Sequence, residues 1–240
     1  MPAILGRAGR RVGSVLLLFA SLFGLAASAP AENDRSDPLC PHIVACQYEA
    51  PAFTIRVVDQ QTGQPLADVH AIAAWLVYGF HGRQGVLMAL EAVSGPDGQL
   101  SFPAWGPVRS GVEGLVGGRD PLVSLFRPGY RTQLLLNATP IERSDTARVH
   151  AFEKAGSTVK LVSFHGSPAE TVSELRTAAT PLEGTTLSQD DPLPFRRAYA
   201  NRLRRVKIEA ERSDHRSGDL DSLLWRLSTG IIFLDPGGVR

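Results

Sequence analysis

Residue types that could carry out chemistry are present in this chain, but their spacing does not bring them together. The six histidines are His42, His70, His81, His150, His165 and His215. No two of them are four residues apart or stand in an HExxH frame, whereas a zinc site needs three or four converging ligands. The sequence therefore predicts no metal site and no cofactor.

Nucleophilic catalysis also lacks its usual sequence signals. The chain contains no GxSxG motif, which positions a serine on a sharp strand-to-helix turn. Ser213, Asp214 and His215 supply the types of a catalytic triad, but neighbouring side chains in one loop diverge. The glycine-rich residues 111–118 lack the Gly-Lys that a phosphate-binding loop needs. The sequence predicts no catalytic residues and no enzyme activity; an envelope hydrolase with an unrecognised active site is the alternative.

The first 31 residues have the pattern of an export signal. Arg7, Arg10 and Arg11 precede the apolar residues 15–27, and small residues follow up to Ala31. We expect cleavage after Ala31 and a periplasmic or secreted protein. An uncleaved membrane anchor is the alternative. A lipoprotein signal at residues 43–46 is disfavoured, because a polar run separates it from the apolar segment.

The charge balance and the cysteines agree with an exported chain. Beyond residue 31 there are 22 basic and 24 acidic residues, so no global charge favours nucleic acid, which is not an expected partner. The chain has two cysteines, Cys40 and Cys46, separated by five residues. In an oxidising compartment this spacing predicts a local disulfide in the N-terminal segment 32–50.

Residues 51–139 show the alternation and turn signals of an antiparallel β-sandwich. Apolar side chains alternate in Phe53, Ile55 and Val57, and residues 95–98 read Gly-Pro-Asp-Gly, a strong turn. About seven short strands with frequent turns are expected. Four aromatic residues are expected near strand ends: Trp75, Tyr78, Phe80 and Trp105. They could fill or cap the core of the sandwich, or they could stack on sugars, and the first interpretation is favoured.

Residues 140–240 are predicted to be mostly helical. Ser167, Pro168 and Glu170 indicate a helix start with a capping box. A second helix is expected over residues 192–212, after a cap at residues 191–192, and a third is expected to end at Gly230. The apolar residues 231–234 then predict a short strand or a docked tail.

The second predicted helix is rich in positive charge and is the candidate interaction surface. An apolar stripe on the same helix makes it amphipathic. Weak contact with an anionic membrane surface is one interpretation; a packing helix with solvated or paired arginines is the other. The surface residues are Arg196, Arg197, Arg204, Arg205 and Lys207.

Four motifs in order give the region from about residue 52 to 137 a resemblance to a known family. They are the opening strand through Val57 and Asp59, Thr62-Gly63 with Pro65-Leu66 and Val69, Asp97-Gly98 followed by Leu100 and Phe102, and the Pro-Gly-Tyr of residues 128–130. This region resembles the carboxypeptidase regulatory-like domain, a prealbumin-like (transthyretin-like) β-sandwich. The resemblance implies a compact exported module without catalytic residues. Residues 73–90 and 105–120 are longer than this pattern, and the helical C-terminal part has no counterpart in it. A function peculiar to this chain is therefore expected in these additions.

These observations predict a mainly β protein, an antiparallel prealbumin-like β-sandwich followed by a small helical C-terminal region. The expected function is that of an exported, non-enzymatic binding or scaffold module of the cell envelope. Its partner would be an envelope protein or a polysaccharide. Besides the hydrolase, a peripheral membrane-associated protein is the alternative.

Overall fold

Residues 46–110, 114–117, 119–138, 142–143, 148–180, 191–212 and 217–235 are described by the computed structural model. Within these residues the chain is mainly β, with a helical C-terminal region, as the sequence predicts. The strands are β1 Gln47–Ala50, β2 Phe53–Asp59, β3 His70–Gly79, β4 Gly82–Val93, β5 Gln99–Phe102, β6 Trp105–Arg109, β7 Leu115–Val116, β8 Leu122–Phe126, β9 Gln133–Leu135, β10 Glu142–Arg143, β11 Arg148–Val149 and β12 Thr158–Leu161. The helices are α1 Pro168–Ala179, α2 Leu193–Glu211 and α3 Gly218–Leu234.

The strands form three groups, most of whose pairs are antiparallel. The largest has the order β4-β3-β8-β9, with β7 pairing to the end of β3. The other two have the orders β12-β2-β5 and β10-β11-β1-β6. Only β12 with β2, and β11 with β1, pair in parallel among the described strands. Strands from outside residues 51–139 thus complete the sandwich at both of its smaller sheets.

Strand β3 is the centre of the fold because both of its faces are buried. One face carries Ala73 and Trp75, which pack in a core with Phe53 and Phe102 of the opposing strands. The other face carries Ile72, which belongs to a second core formed with the three helices. The molecule therefore has β-sandwich layers covered by helices on one outer face, and β3 reads as a nearly continuous apolar run for this reason.

Local sequence signals explain where helix α1 begins. The Ser167 side chain accepts a hydrogen bond from Glu170 N, and the Glu170 carboxylate accepts one from Ser167 N at 2.7 Å. Pro168 occupies the first turn, where its missing N–H costs nothing. The capping box that the sequence predicts is therefore confirmed.

The predicted ends of the other two helices need correction. The Asp191 side chain does not cap α2, because α2 has Pro192 as its N-cap and Asp191 faces Arg83 at 3.5 Å. Helix α3 does not end at Gly230 but continues to Leu234, so residues 231–234 are neither a strand nor a separate tail. A Cβ on Gly230 would lie 2.9 Å from Leu203 Cδ1. Gly230 is thus a close helix contact and not a stop signal.

Candidate functional site

The two segments that exceed the sandwich pattern meet at one end of the molecule. The β3–β4 hairpin turns tightly at residues 80–81, and β7 pairs with the end of β3 through Val77 with Val116 and Tyr78 with Leu115. Between them lies a cavity of ≈ 510 Å³, a volume within the usual range of ligand-binding clefts. We call this surface the apical site; it is lined by Tyr78, Gly79, Phe80, His81, Gln84, Gly114 and Leu115.

The apical site presents apolar side chains to solvent. Phe80 is 99% exposed, and Tyr78 and Leu115 are 43% and 40% exposed. The His81 ring stands edge-on to Phe80, with 5.2 Å between the ring centroids. Among the described residues, no Asp, Glu, Lys or Arg lines this cavity. The chemistry of this surface is therefore aromatic and apolar contact, supplemented by the polar groups of His81 and Gln84.

Glycines bring the second segment against β3. Gly114 has φ +144°, and a Cβ there would lie 2.6 Å from the Tyr78 carbonyl oxygen. A Cβ on Gly117 would lie 3.1 Å from the Tyr78 ring and 3.2 Å from Asp120 Oδ2. Close packing beneath the apical site thus leaves little room for a side chain at Gly114 and Gly117, the described glycines of the glycine-rich sequence.

A buried carboxyl group lies beneath the apical site. Asp120 is 4% exposed, and its Oδ2 accepts a hydrogen bond from Leu76 N at 2.8 Å. Burial raises the pKa of Asp120 to about 7, although hydrogen bonds from the backbone of Leu76 and Gly117 act in the opposite direction. Asn137 donates to the Asp120 carbonyl at 2.8 Å. Asp120 thus fixes the start of β8 relative to β3.

A buried histidine, His150, lies near the Asp120 backbone, which acts to raise its pKa. His150 is 2% exposed, and in the described part of the chain neither ring nitrogen has a partner at full hydrogen-bonding geometry. Burial, together with the charge of Arg148, lowers the pKa of His150 to about 4. Its ring centroid lies 5.4 Å from that of Tyr48, whose hydroxyl accepts from Val116 N at 3.3 Å. Among the described residues no group of three His, Cys, Asp or Glu side chains could hold a metal ion.

Serine, histidine and carboxylate side chains do meet elsewhere, on the helix-facing side of the β3 sheet. His70 Nε2 lies 2.7 Å from Glu91 Oε1. Arg202 on α2 donates to His70 Nδ1 at 2.8 Å and to Ser124 Oγ at 3.0 Å. The guanidinium group is thus bonded to both the histidine and the serine, so His70 Nδ1 is not available as a base for Ser124. The cluster attaches α2 to the sheet.

The predicted basic surface on α2 is divided by the packing of that helix. Arg204 pairs with Asp235 at 2.7 Å, and Lys207 pairs with Glu211. Arg196 Nε donates to the Asp191 carbonyl at 3.1 Å. Arg197 is exposed, and Arg205 lines a separate cavity. Sequence reasoning did not identify Arg202 as the buried member of this series; its place beside Leu203 on the apolar side of the helix was the available signal.

Some of the remaining sequence predictions concern residues that the structure describes, and others concern residues outside the described part of the chain. Trp75 and Trp105 are core residues in an edge-to-face contact of 5.0 Å, whereas Tyr78 and Phe80 reach the surface. Cys46 is buried, but Cys40 lies outside the described residues, so their disulfide stays a prediction. The export signal, the 43–45 part of the lipoprotein motif and residues 213–215 also lie outside the described part of the chain.

Comparison with known proteins adds little to this description. No family model and no curated protein matches the chain, so the resemblance to carboxypeptidase regulatory-like domains stays a prediction. One similar solved structure is titled as the dioxygenase domain of a dioxygenase carbohydrate-binding protein fusion from the cellulolytic bacterium Streptomyces sp. SirexAA-E. It is 15% identical, the match covers 48% of this chain and 79% of that chain, and the TM-score is 0.25. A TM-score this low carries no argument about fold or activity.

No helix among the described residues is both long enough and apolar enough to cross a bilayer.

Proposed function

We propose that this chain is an exported, non-enzymatic binding module of the cell envelope, and that its apical site contacts a partner protein. The observation that carries the proposal is the 99% exposure of Phe80 at the tip of the β3–β4 hairpin. Burying a phenylalanine side chain is worth roughly 1.5–3 kcal/mol, and an aromatic anchor is a common centre of protein interfaces.

The surroundings of Phe80 support contact with an apolar pocket on the partner. Tyr78 and Leu115 add apolar area beside it. The described part of the lining has no charged side chain, and charged residues are also depleted at interface centres. The hairpin that carries Phe80 is fixed on the sandwich, because β4 pairs with β3 along its length. A fixed frame lowers the conformational entropy that the surface loses on binding.

The His70 cluster supports the non-enzymatic part of the proposal. The Ser, His and Glu types that a hydrolase could use come together there, but His70 Nδ1 and Ser124 Oγ are both hydrogen-bonded to Arg202. Arg202 is completely buried. These side chains are accounted for by the attachment of α2 to the sheet.

Site-specific photo-crosslinking in the native envelope tests the proposal. Benzoylphenylalanine replaces Phe80 in one full-length variant and Trp225 in a matched variant; Trp225 is an aromatic residue of α3 that is 69% exposed. We expect a protein adduct from position 80 and none from position 225.

Two outcomes would contradict the proposal. Adducts from position 225 alone would place the contact surface on α3. No protein adduct from position 80, together with co-sedimentation of the unmodified protein with envelope polysaccharide, would show that the partner is not a protein.

A further inference from the structure

A second cavity, of ≈ 360 Å³, lies where the C-terminal half of α2 meets the turn after β8. Its wall includes the apolar side chains of Phe126 and Ile208. Three arginines from two separate parts of the chain line it, and they are Arg127, Arg205 and Arg212. This surface is formed by other residues than the apical site, so an inference about it does not depend on the proposed function.

Arg205 differs from most arginines of the described helical region in having no hydrogen-bond or ion-pair partner there. It forms no hydrogen bond and no ion pair with any described residue, whereas Arg204 is paired with Asp235 and Arg176 with Asp219. The charge of Arg205 also acts on Glu91, but the Glu91 carboxylate already lies within hydrogen-bonding distance of His70 and Asn201.

Arg127 is held in place on the opposite wall. Its Nε donates to the Ala67 carbonyl at 2.8 Å, and its guanidinium lies 4.8 Å from the centroid of the Tyr130 ring. Arg212 is more loosely held, since its side chain is 71% exposed and lies 3.6 Å from Glu209. The cavity is therefore lined by three guanidinium groups in different states. That of Arg127 is held in place, that of Arg205 has no ion-pair partner among the described residues, and that of Arg212 is exposed.

The acidic residues of the cavity do not neutralise these charges. Glu209 offsets Arg212, and Asp68 offsets at most one of the other two arginines. Among the residues that line the cavity, three positive and two negative charges leave an excess of one positive charge. A guanidinium group presents parallel N–H donors that match the oxygens of a phosphate group, and such charge-assisted bonds are stronger than neutral ones.

We propose that the cavity lined by Arg127, Arg205 and Arg212 binds a phosphate group. The group belongs either to a small soluble phosphate or to the headgroup of an anionic lipid. Arg205 is the central donor, because no other described residue occupies its guanidinium group. Phe126 and Ile208 supply the apolar wall against which the rest of the ligand packs.

The test measures inorganic phosphate binding to the full-length protein by calorimetry at low ionic strength. The variant is Arg205→Gln, and the matched control is Arg197→Gln, which removes the same charge from an exposed position of the same helix outside the cavity. Loss of one charge-assisted hydrogen bond predicts about tenfold weaker binding for Arg205→Gln. Arg197→Gln is expected to bind like the unmodified protein. Thermal unfolding of each variant checks that it is folded.

The source of the phosphate is distinguished with vesicles of phosphatidylglycerol and of phosphatidylcholine. Binding to phosphatidylglycerol that Arg205→Gln weakens, and that inorganic phosphate competes away, identifies the lipid headgroup. Phosphate binding without vesicle binding identifies a soluble phosphate. The proposal is overturned if the unmodified protein shows no saturable phosphate binding, or if both variants lose equal affinity, as a diffuse charge effect requires.

Discussion

Arg202 Nε donates a hydrogen bond of 2.8 Å to His70 Nδ1, although the two residues come from different elements and both are completely buried. Because Nδ1 accepts, the proton of the neutral ring resides on Nε2, which donates to Glu91 Oε1 at 2.7 Å. Burial lowers the pKa of His70 to about 4; the Glu91 hydrogen bond acts against this shift, and the Arg202 charge adds to it. The neutral histidine thus links a buried cation to a carboxylate.

Replacing Arg202 with alanine should destabilise the protein strongly. The guanidinium group donates to His70 Nδ1, to Ser124 Oγ and to the carbonyl oxygens of both residues. Their loss leaves several buried acceptors without donors, and we expect the free energy of unfolding to fall by about 3 kcal/mol or more. Urea unfolding with an unchanged m-value measures this loss.

Arg197→Ala is the matched control for this change. Arg197 is exposed on the same helix, so its loss should change the free energy of unfolding by about 0.5 kcal/mol at most. If Arg202→Ala costs no more than this control, the Arg202 contacts do not attach α2 to the sheet.

His150→Phe should make the protein less sensitive to acid. The pKa of His150 is about 4 in the folded protein and its ordinary value is 6.5. Between pH 4 and pH 6.5, the unfolded chain therefore binds a proton on His150 that the folded protein does not bind. The contribution of His150 to stability is complete above pH 6.5 and is lost as the pH falls toward 4. At pH 5 this loss is about 2 kcal/mol. The phenylalanine variant should lack it and, having no unpaired ring nitrogen, should be at least as stable at pH 7.

Chemical unfolding at pH 5 and pH 7 checks the His150 prediction. His165→Gln serves as the control, because His165 is exposed. An unchanged difference in stability between the two pH values in His150→Phe would show that His150 does not titrate as its burial implies.

Asp120→Asn should remove a loss of stability that develops as the pH rises from about 4 to about 7. Burial raises the pKa of Asp120 from 3.8 to about 7. Between pH 3.8 and pH 7, the folded protein therefore holds a proton on Asp120 that the unfolded chain has released. The Asp120 contribution is complete below pH 3.8 and is lost as the pH rises through 7. Between pH 6 and pH 8 this amounts to about 1.4 kcal/mol. Guanidinium unfolding across this range should show the loss in the unmodified protein and a flatter profile in the variant.

The exposed Asp221 provides a control of the same chemistry, since Asp221→Asn should keep the pH profile of the unmodified protein. Equal profiles in Asp120→Asn and Asp221→Asn would contradict the assignment of this titration to Asp120.

Ser167→Ala should weaken the start of α1. The hydroxyl oxygen of Ser167 accepts from Glu170 N, and its removal leaves that N–H without its cap. We expect a loss of about 1 kcal/mol in the free energy of unfolding. Ser173→Ala, at an exposed position inside the same helix, should cause no loss because alanine favours helix. Comparable losses in both variants would argue against the cap.

Features that depend on neighbouring residues could be predicted from the sequence. The Asp59 carboxylate accepts from Gln61 N and Thr62 N at 2.8 and 2.7 Å, and Gly63 follows with φ +70°. This turn, the alternation in β2 and the capping box of α1 are decided by short-range hydrogen bonds and periodicity. The mainly β fold with a helical C-terminal region was predicted for the same reason.

Features that depend on distant contacts were missed. Strand β12 shows no sandwich signal of its own, because a short segment becomes a strand here through its parallel pairing with β2. Glycine is a residue type that often follows the end of a helix, but Gly230 lies within α3, where it packs closely against Leu203. The conformation of each depends on partners that no local pattern identifies.

The amino-acid sequence by itself determined the alternation of β2, the turn at Asp59 and the capped start of α1, because each depends on residues a few positions apart. Tertiary structure alone decided what the charged and aromatic residues do. It buried Arg202 between His70 and Ser124 and placed Phe80 at an exposed tip. It also left Arg205 beside a cavity without an ion-pair partner among the residues that the structure describes. The physical reason is that burial and pairing are set by residues far apart in the chain, which only the packed fold brings together.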